Sequence, residues 1–268
     1  MSSTILSKII SQKRVRIEEA KRQVTLDRLV ERARDRKDVR DLAVAISTPG
    51  RIDIIAEFKR ASPSKGVIND SLDPTRVARI YENGGAAAIS VLTEEDHFRG
   101  SLDDLKAVRA AVDLPILRKD FIIDEYQIYE SAAAGADAIL LIVSALTVEE
   151  LGRFQGLGSE LGLDVVVEVH DNPEMEIAIS VGAKVIGVNN RDLRSFDVSL
   201  DVSRELIKRA PKDAIMISES GLRTRDDLIE LRNLGYSAFL IGELLMKSGR
   251  PEDELNGLIA EHENLPSV

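Results

Sequence analysis

Beyond residue 50, short apolar, β-branched runs alternate with longer stretches whose apolar positions recur at helical spacing. The runs are IDIIAEF (52–58), AAISVLT (87–93), PILRKD (115–120), DAILLIV (137–143), DVVVEVH (164–170), KVIGVNN (184–190), AIMISES (214–220) and SAFLIGE (237–243). All are strand-sized and predict buried strands. They recur about every 20 to 35 residues, the length of a strand, a helix and two loops. Between them, segments such as DPTRVARIYENGG and TRDDLIELRNLG predict helices. Asp73 before Pro74, and Thr224 three residues ahead of Asp227, mark helix starts, while Gly84 and Gly235 mark helix ends.

Eight such units with near-continuous apolar strands predict an α/β fold, the closed (β/α)8 barrel known as the TIM barrel. The first fifty residues break the rhythm. They are helical and charge-rich, with Ile5, Leu6, Ile9 and Ile10 placed to face the body of the protein. The expected organisation is an N-terminal helical extension over 1–50, packed on a catalytic barrel over 51–268, in one structural domain. No linker rich in proline, glycine or serine divides the chain.

Composition narrows the chemistry. A hydrophobic share of 44% over 268 residues supports a large core. No apolar run is long enough to span a membrane. A net charge of −10 argues against nucleic acid as a partner. With no cysteine, disulfides, thiol nucleophiles and cysteine-ligated metals are excluded, which fits a cytoplasmic setting. His97, His170 and His262 lie far apart, and no metal site is expected from them. GLGSELG, from Gly156, has glycines in a nucleotide-loop pattern but sits at the end of a helix, the wrong context for one. The chain ends soon after the eighth unit, so no second fused barrel is expected.

The polar residues cluster at one end of the strands. Alternation places Ile55, Glu57 and Lys59 on one face of the first strand. The third run carries Lys119, the fifth Glu168 between valines, the sixth Asn189 and Arg191, and the seventh Glu219, Ser220 and Gly221. In such barrels active sites lie at the carboxyl ends of the strands, and alternate strands fill common layers. These charges are therefore expected to meet in one cup. Arg60 and Lys65 read as a solvated basic edge. Lysines and glutamates so placed suit general acid–base catalysis or a Schiff base, and the residues alone do not choose. Gly221 and Gly242 fall in the loops where these barrels seat phosphate, with Ser62 and Ser64 as further donors.

In order and spacing, IIAEFKRASPSKG, ISVLTEEDHFRGS, PILRKDFIIDEYQIYES, VEVHDNPEME, GVNNRDL, ISESGL and FLIGELLM resemble the indole-3-glycerol phosphate synthase family of tryptophan biosynthesis. The resemblance runs from the N-terminal helix to about Met246. It implies a cofactor-free and metal-free lyase that converts 1-(2-carboxyphenylamino)-1-deoxyribulose 5-phosphate into indole-3-glycerol phosphate, carbon dioxide and water. Lys119 would be the general acid on the ketone oxygen, Glu168 and Lys59 would assist loss of the hydroxyl, and Glu57 would be a base or proton relay. Asn189 would position the substrate and orient Glu57. Arg191, Glu219 and Ser220 would line the cup, and Ser62, Gly221, Gly242 and the backbone of Glu243 would hold phosphate, with the Glu243 carboxylate turned away. A monomer is implied, with a small-molecule phosphosugar–anthranilate substrate and neither nucleic acid nor membrane as a partner. The rivals are another phosphosugar barrel, an aldolase using Lys119 or Lys59 covalently, and a barrel kept as a binding scaffold.

Overall fold

The computed structural model describes residues 4–260. All eight runs form strands: β1 (Asp53–Phe58), β2 (Ala88–Leu92), β3 (Ile116–Lys119), β4 (Ala138–Ile142), β5 (Asp164–Val169), β6 (Val185–Asn189), β7 (Ile215–Glu219) and β8 (Ala238–Ile241). Each pairs in parallel with its sequence neighbours, and β1 closes the barrel against β8. Period-two alternation divides the buried strand residues. Ile54, Ala56 and Phe58 face the helices, whereas Ile55, Leu117, Val166 and Ile217 point into the barrel and pack with one another. Glu57, Lys119, Glu168 and Glu219 each lie two residues further along those same four strands, so they form the next inward layer from the odd-numbered strands.

The expected helix signals act as caps. Asp73 accepts the N–H of Arg76 at the start of α4 (Pro74–Asn83). Thr224 and Asp227 form a reciprocal capping box on α10 (Arg225–Leu234), and Gly84 and Gly235 terminate α4 and α10. The glycines of GLGSELG lie in and just after α7 (Val148–Glu160), leading into β5 as expected.

Three helices precede the barrel: α1 (Ile5–Gln23), α2 (Leu26–Arg34) and α3 (Leu42–Ala45). Ile9 of α1 is buried, Ile5 and Leu6 pack on the barrel-interior cluster, and Ile10 is half-buried. The buried face continues through Lys13 and Ile17, a lysine that apolar patterning does not anticipate. Lys13 reaches Asp120 and Glu95, both at 2.9 Å. Leu42 and Ile46 are fully buried against the opposite end of the barrel interior. Aspartates there hold the extension: Asp137 pairs with Arg36 and Arg109 and accepts the Arg40 N–H, and Asp164 accepts the Ala43 N–H.

One surface expectation is corrected. Lys65 is exposed, but Arg60 is half-buried, bonded to both oxygens of Asp104 and stacked 4.8 Å from the centroid of Phe58. Its planar fork finds a carboxylate in the first turn of α5 (Leu102–Ala111), so the guanidinium folds back instead of extending into solvent.

Candidate active site

At the carboxyl ends of the strands, two charged clusters share one cavity. In the first, Lys59 Nζ stands 2.5 Å from Glu57 Oε1. In the second, Lys119 Nζ lies 2.7 Å from Glu219 Oε2 and 3.0 Å from Glu168 Oε2. The three carboxylates are buried, each no more than 2% exposed. Burying so many charges is costly and gives little net stability, so the arrangement points to chemistry rather than to fold maintenance.

The electrostatics separate the two carboxylates that share Lys119. Burial alone would lower the pKa of Lys119, but Glu168, Glu219 and Glu57 outweigh it and hold the ammonium charged well above its usual range. Burial would raise Glu168, yet Lys119 and His170 outweigh it and keep that carboxylate ionised far down the pH scale. Glu219 goes the other way. Burial, reinforced by the charges of Glu168 and Glu57, pushes it up to about 7 against the attraction of Lys119. The difference follows from partners: Glu168 also has His170 3.3 Å away, while Glu219 Oε1 is buried without a partner.

The remaining expected residues line the same cavity. Asn189 bonds Glu168 and not the expected Glu57, because β6 neighbours β5 and lies across the barrel from β1. Its Oδ1 also accepts the Arg191 N–H, and Arg191 donates to the Phe196 carbonyl at 3.2 Å. Glu243 turns away to Lys247, 2.7 Å off, with Arg191 3.8 Å from its other oxygen. Ser62 and Ser64 sit 3.5 Å apart in the loop after β1. Ser220 and Gly221, both on the cavity wall, have successive φ values of 66° and 81°, a left-handed pair. Asn190 holds this pair: its buried amide donates to the carbonyls of Glu219 and Ser220.

Several contributors were not foreseen. The other side of the cavity is apolar, built from Ile5, Leu6 and Ile9 of α1 with Phe98 and Phe121. Gly187 on β6 leaves room for the carboxylate of Glu219, and Gly242 leaves room for that of Glu57. His170 lies 3.3 Å from Glu168. Strand alternation, which places His170 two residues beyond Glu168, was the available signal.

Metal ligation finds little here. Among the described residues one acidic group, Glu94, Glu95 and Asp96, clusters closely enough. Its oxygens are already engaged by the N–H groups of His97 and Phe98, by Lys13 and by Arg16. Of the three histidines, His97 and His170 lie on separate loops and His262 is outside the described residues.

The indole-3-glycerol phosphate synthase family model matches residues 6–258. The chain is similar to the indole-3-glycerol phosphate synthase of Syntrophobacter fumaroxidans, at 45% identity over 97% of this chain and 99% of that one. It is also similar to that of Chlorobium phaeovibrioides, at 50% identity over 91% of this chain and 95% of the other. Among solved structures, 3-hexulose-6-phosphate synthase from Salmonella typhimurium shares the fold, with a TM-score of 0.63 at 16% identity, covering 77% of this chain and 96% of that one. No described helix is long and apolar enough to cross a membrane.

Proposed function

Because the chain belongs to the indole-3-glycerol phosphate synthase family, carboxy-lyases of tryptophan biosynthesis, we propose that it works through acid–base catalysis by Lys119, Glu168, Lys59 and Glu57. The substrate is 1-(2-carboxyphenylamino)-1-deoxyribulose 5-phosphate. The ring carbon bearing the carboxylate attacks the ketone carbon, and the carbonyl oxygen takes a proton from Lys119. The bond to the carboxylate then breaks, releasing carbon dioxide and returning its electron pair to the ring. Loss of the new hydroxyl as water, with a proton removed from the neighbouring carbon, completes the indole. Glu168 and Lys59 serve this last step, and Glu57 relays protons with Lys59. Glu219 titrates near neutrality and is placed to return a proton to Lys119.

One observation carries the reading: a charged Lys119 is held between two buried carboxylates in a cup that is apolar on one side and rich in anion donors on the other. The apolar side suits the aromatic ring. Lys59, Arg191, Ser62, Ser220, Gly221 and the backbone at Gly242 and Glu243 suit the substrate's carboxylate and phosphate. Asn189 positions the substrate hydroxyls. A covalent aldolase working through Lys119 is disfavoured, since a Schiff base needs a neutral amine and Lys119 is held charged.

Residues 1–50 are assigned as an extension of the catalytic barrel 51–268 in one domain, since α1 supplies part of the cavity wall. The protein is assigned as a cytoplasmic monomer that needs no metal or organic cofactor and binds no nucleic acid. Mixing purified protein with the substrate tests the function. The chain has no tryptophan, so indole fluorescence should rise from a low background in proportion to enzyme. A flat trace from folded protein would contradict the proposal.

A further inference from the structure

One titratable group beside the cup has no part in the roles above. Glu168 and His170 are two residues apart at the end of β5, so both side chains leave the chain on the same side. Nε2 of His170 is 3.3 Å from Glu168 Oε1, and Nδ1 is 3.0 Å from Oε2 of Glu174, in the first turn of α8 (Asn172–Ser180). The same Glu174 oxygen accepts the backbone N–H of His170 at 2.8 Å. Glu174 is itself anchored, its N–H donating to the capping Asp171. The imidazole is thus clamped between two carboxylates with 13% of its side chain exposed.

We propose that His170 is a positioning residue for Glu168. As an imidazolium gripped by Glu174, it pairs electrostatically with Oε1 of Glu168 across 3.3 Å, holds that carboxylate toward Lys119 and keeps it ionised. The charged groups facing the ring are Glu168 from its own strand and Glu174 from α8; Lys119 reaches it only through Glu168. Burial alone would drive the proton off His170, but the two carboxylates outweigh it and push the pKa up to about 10. Glu168 and Glu219 compete for Lys119. The positive ring biases that competition, leaving Glu168 ionised and the shared proton on Glu219. This inference rests on the assignment of Glu168 as a base in the proposed reaction.

Two substitutions separate contact from bulk. In His170→Asn the amide reaches the Nδ1 position but not Glu168. In His170→Gln it reaches the Nε2 position. The asparagine variant is expected to lose on the order of tenfold in kcat, part of the roughly 10²–10⁴ that a positioned base supplies, with KM nearly unchanged. Its acid limb of kcat should move to higher pH, because Glu168 becomes easier to protonate. The glutamine variant should recover part of kcat. Wild-type kcat and an unmoved acid limb in His170→Asn would overturn the proposal. An independent readout needs no turnover, so it still decides the clamp if the proposed reaction fails. The ring 15N signals of His170, identified by their loss in His170→Asn, should show both nitrogens protonated at pH 8. They should titrate lower in Glu168→Gln. A ring titrating near its ordinary 6.5 in both proteins would equally overturn it.

Discussion

Gly187 on β6 stands where an added methyl group would fall 2.3 Å from Oε1 of Glu219 on the neighbouring β7. The glycine is there for the carboxylate. Gly187→Ala should push the end of Glu219 off its 2.7 Å contact with Lys119, since the added methyl and the carboxylate oxygen cannot both occupy that position. We expect kcat to fall on the order of tenfold or more, a part of the acid–base contribution, while circular dichroism stays native. Full activity would show that Glu219 is not needed at that position.

Glu219 also makes a pH prediction. Its pKa in the folded protein, about 7, lies above the ordinary 4.5. Stability from this group is therefore fully present below 4.5 and is lost as pH rises through about 7. Glu219→Gln should compare better with the wild type in Tm at pH 8 than at pH 4.5, and worse in activity at both. The kcat profile should show an inflection near 7 that belongs to the carboxylates around Lys119 taken together, and it should vanish in this variant. An unchanged inflection would assign it to another group.

Glu168→Gln keeps the shape of the side chain and removes its charge and basicity. We expect kcat to drop by about 10²–10⁴ with little change in KM. An effect confined to KM would make Glu168 a binding residue only.

At the far end of the barrel, Asp137 is fully buried between Arg36 and Arg109. Asp137→Ala leaves Arg36 without its carboxylate and Arg109 with Asp38 alone, and should cost about 3–5 kcal/mol. Denaturant unfolding measures the loss, and hydrogen exchange should show 36–46 opening first. A change below about 1 kcal/mol would mean that water replaces the pairing.

The barrel was legible because each strand is a short apolar run with its own turn signals, and eight such runs leave few alternatives. The cup was legible because period-two alternation carries Glu57, Lys119, Glu168 and Glu219 to one face of the odd-numbered strands. What stayed hidden depends on contacts between distant segments. Lys13 reads as a surface charge on an amphipathic helix until Asp120, more than a hundred residues later, is brought beneath it. Arg60 reads as solvated until Asp104 folds against it. The reason for Gly187 lies on the neighbouring strand, and the partner of Asn189 follows from strand order, so neither shows in local pattern.

The most direct test of the account is turnover by Lys119→Met in protein whose circular dichroism and thermal unfolding match the wild type. The account predicts no detectable indole fluorescence from the carboxyphenylamino-deoxyribulose phosphate, because it assigns protonation of the ketone oxygen to Lys119. Near-normal turnover by that variant would contradict it and remove Lys119 from the chemistry.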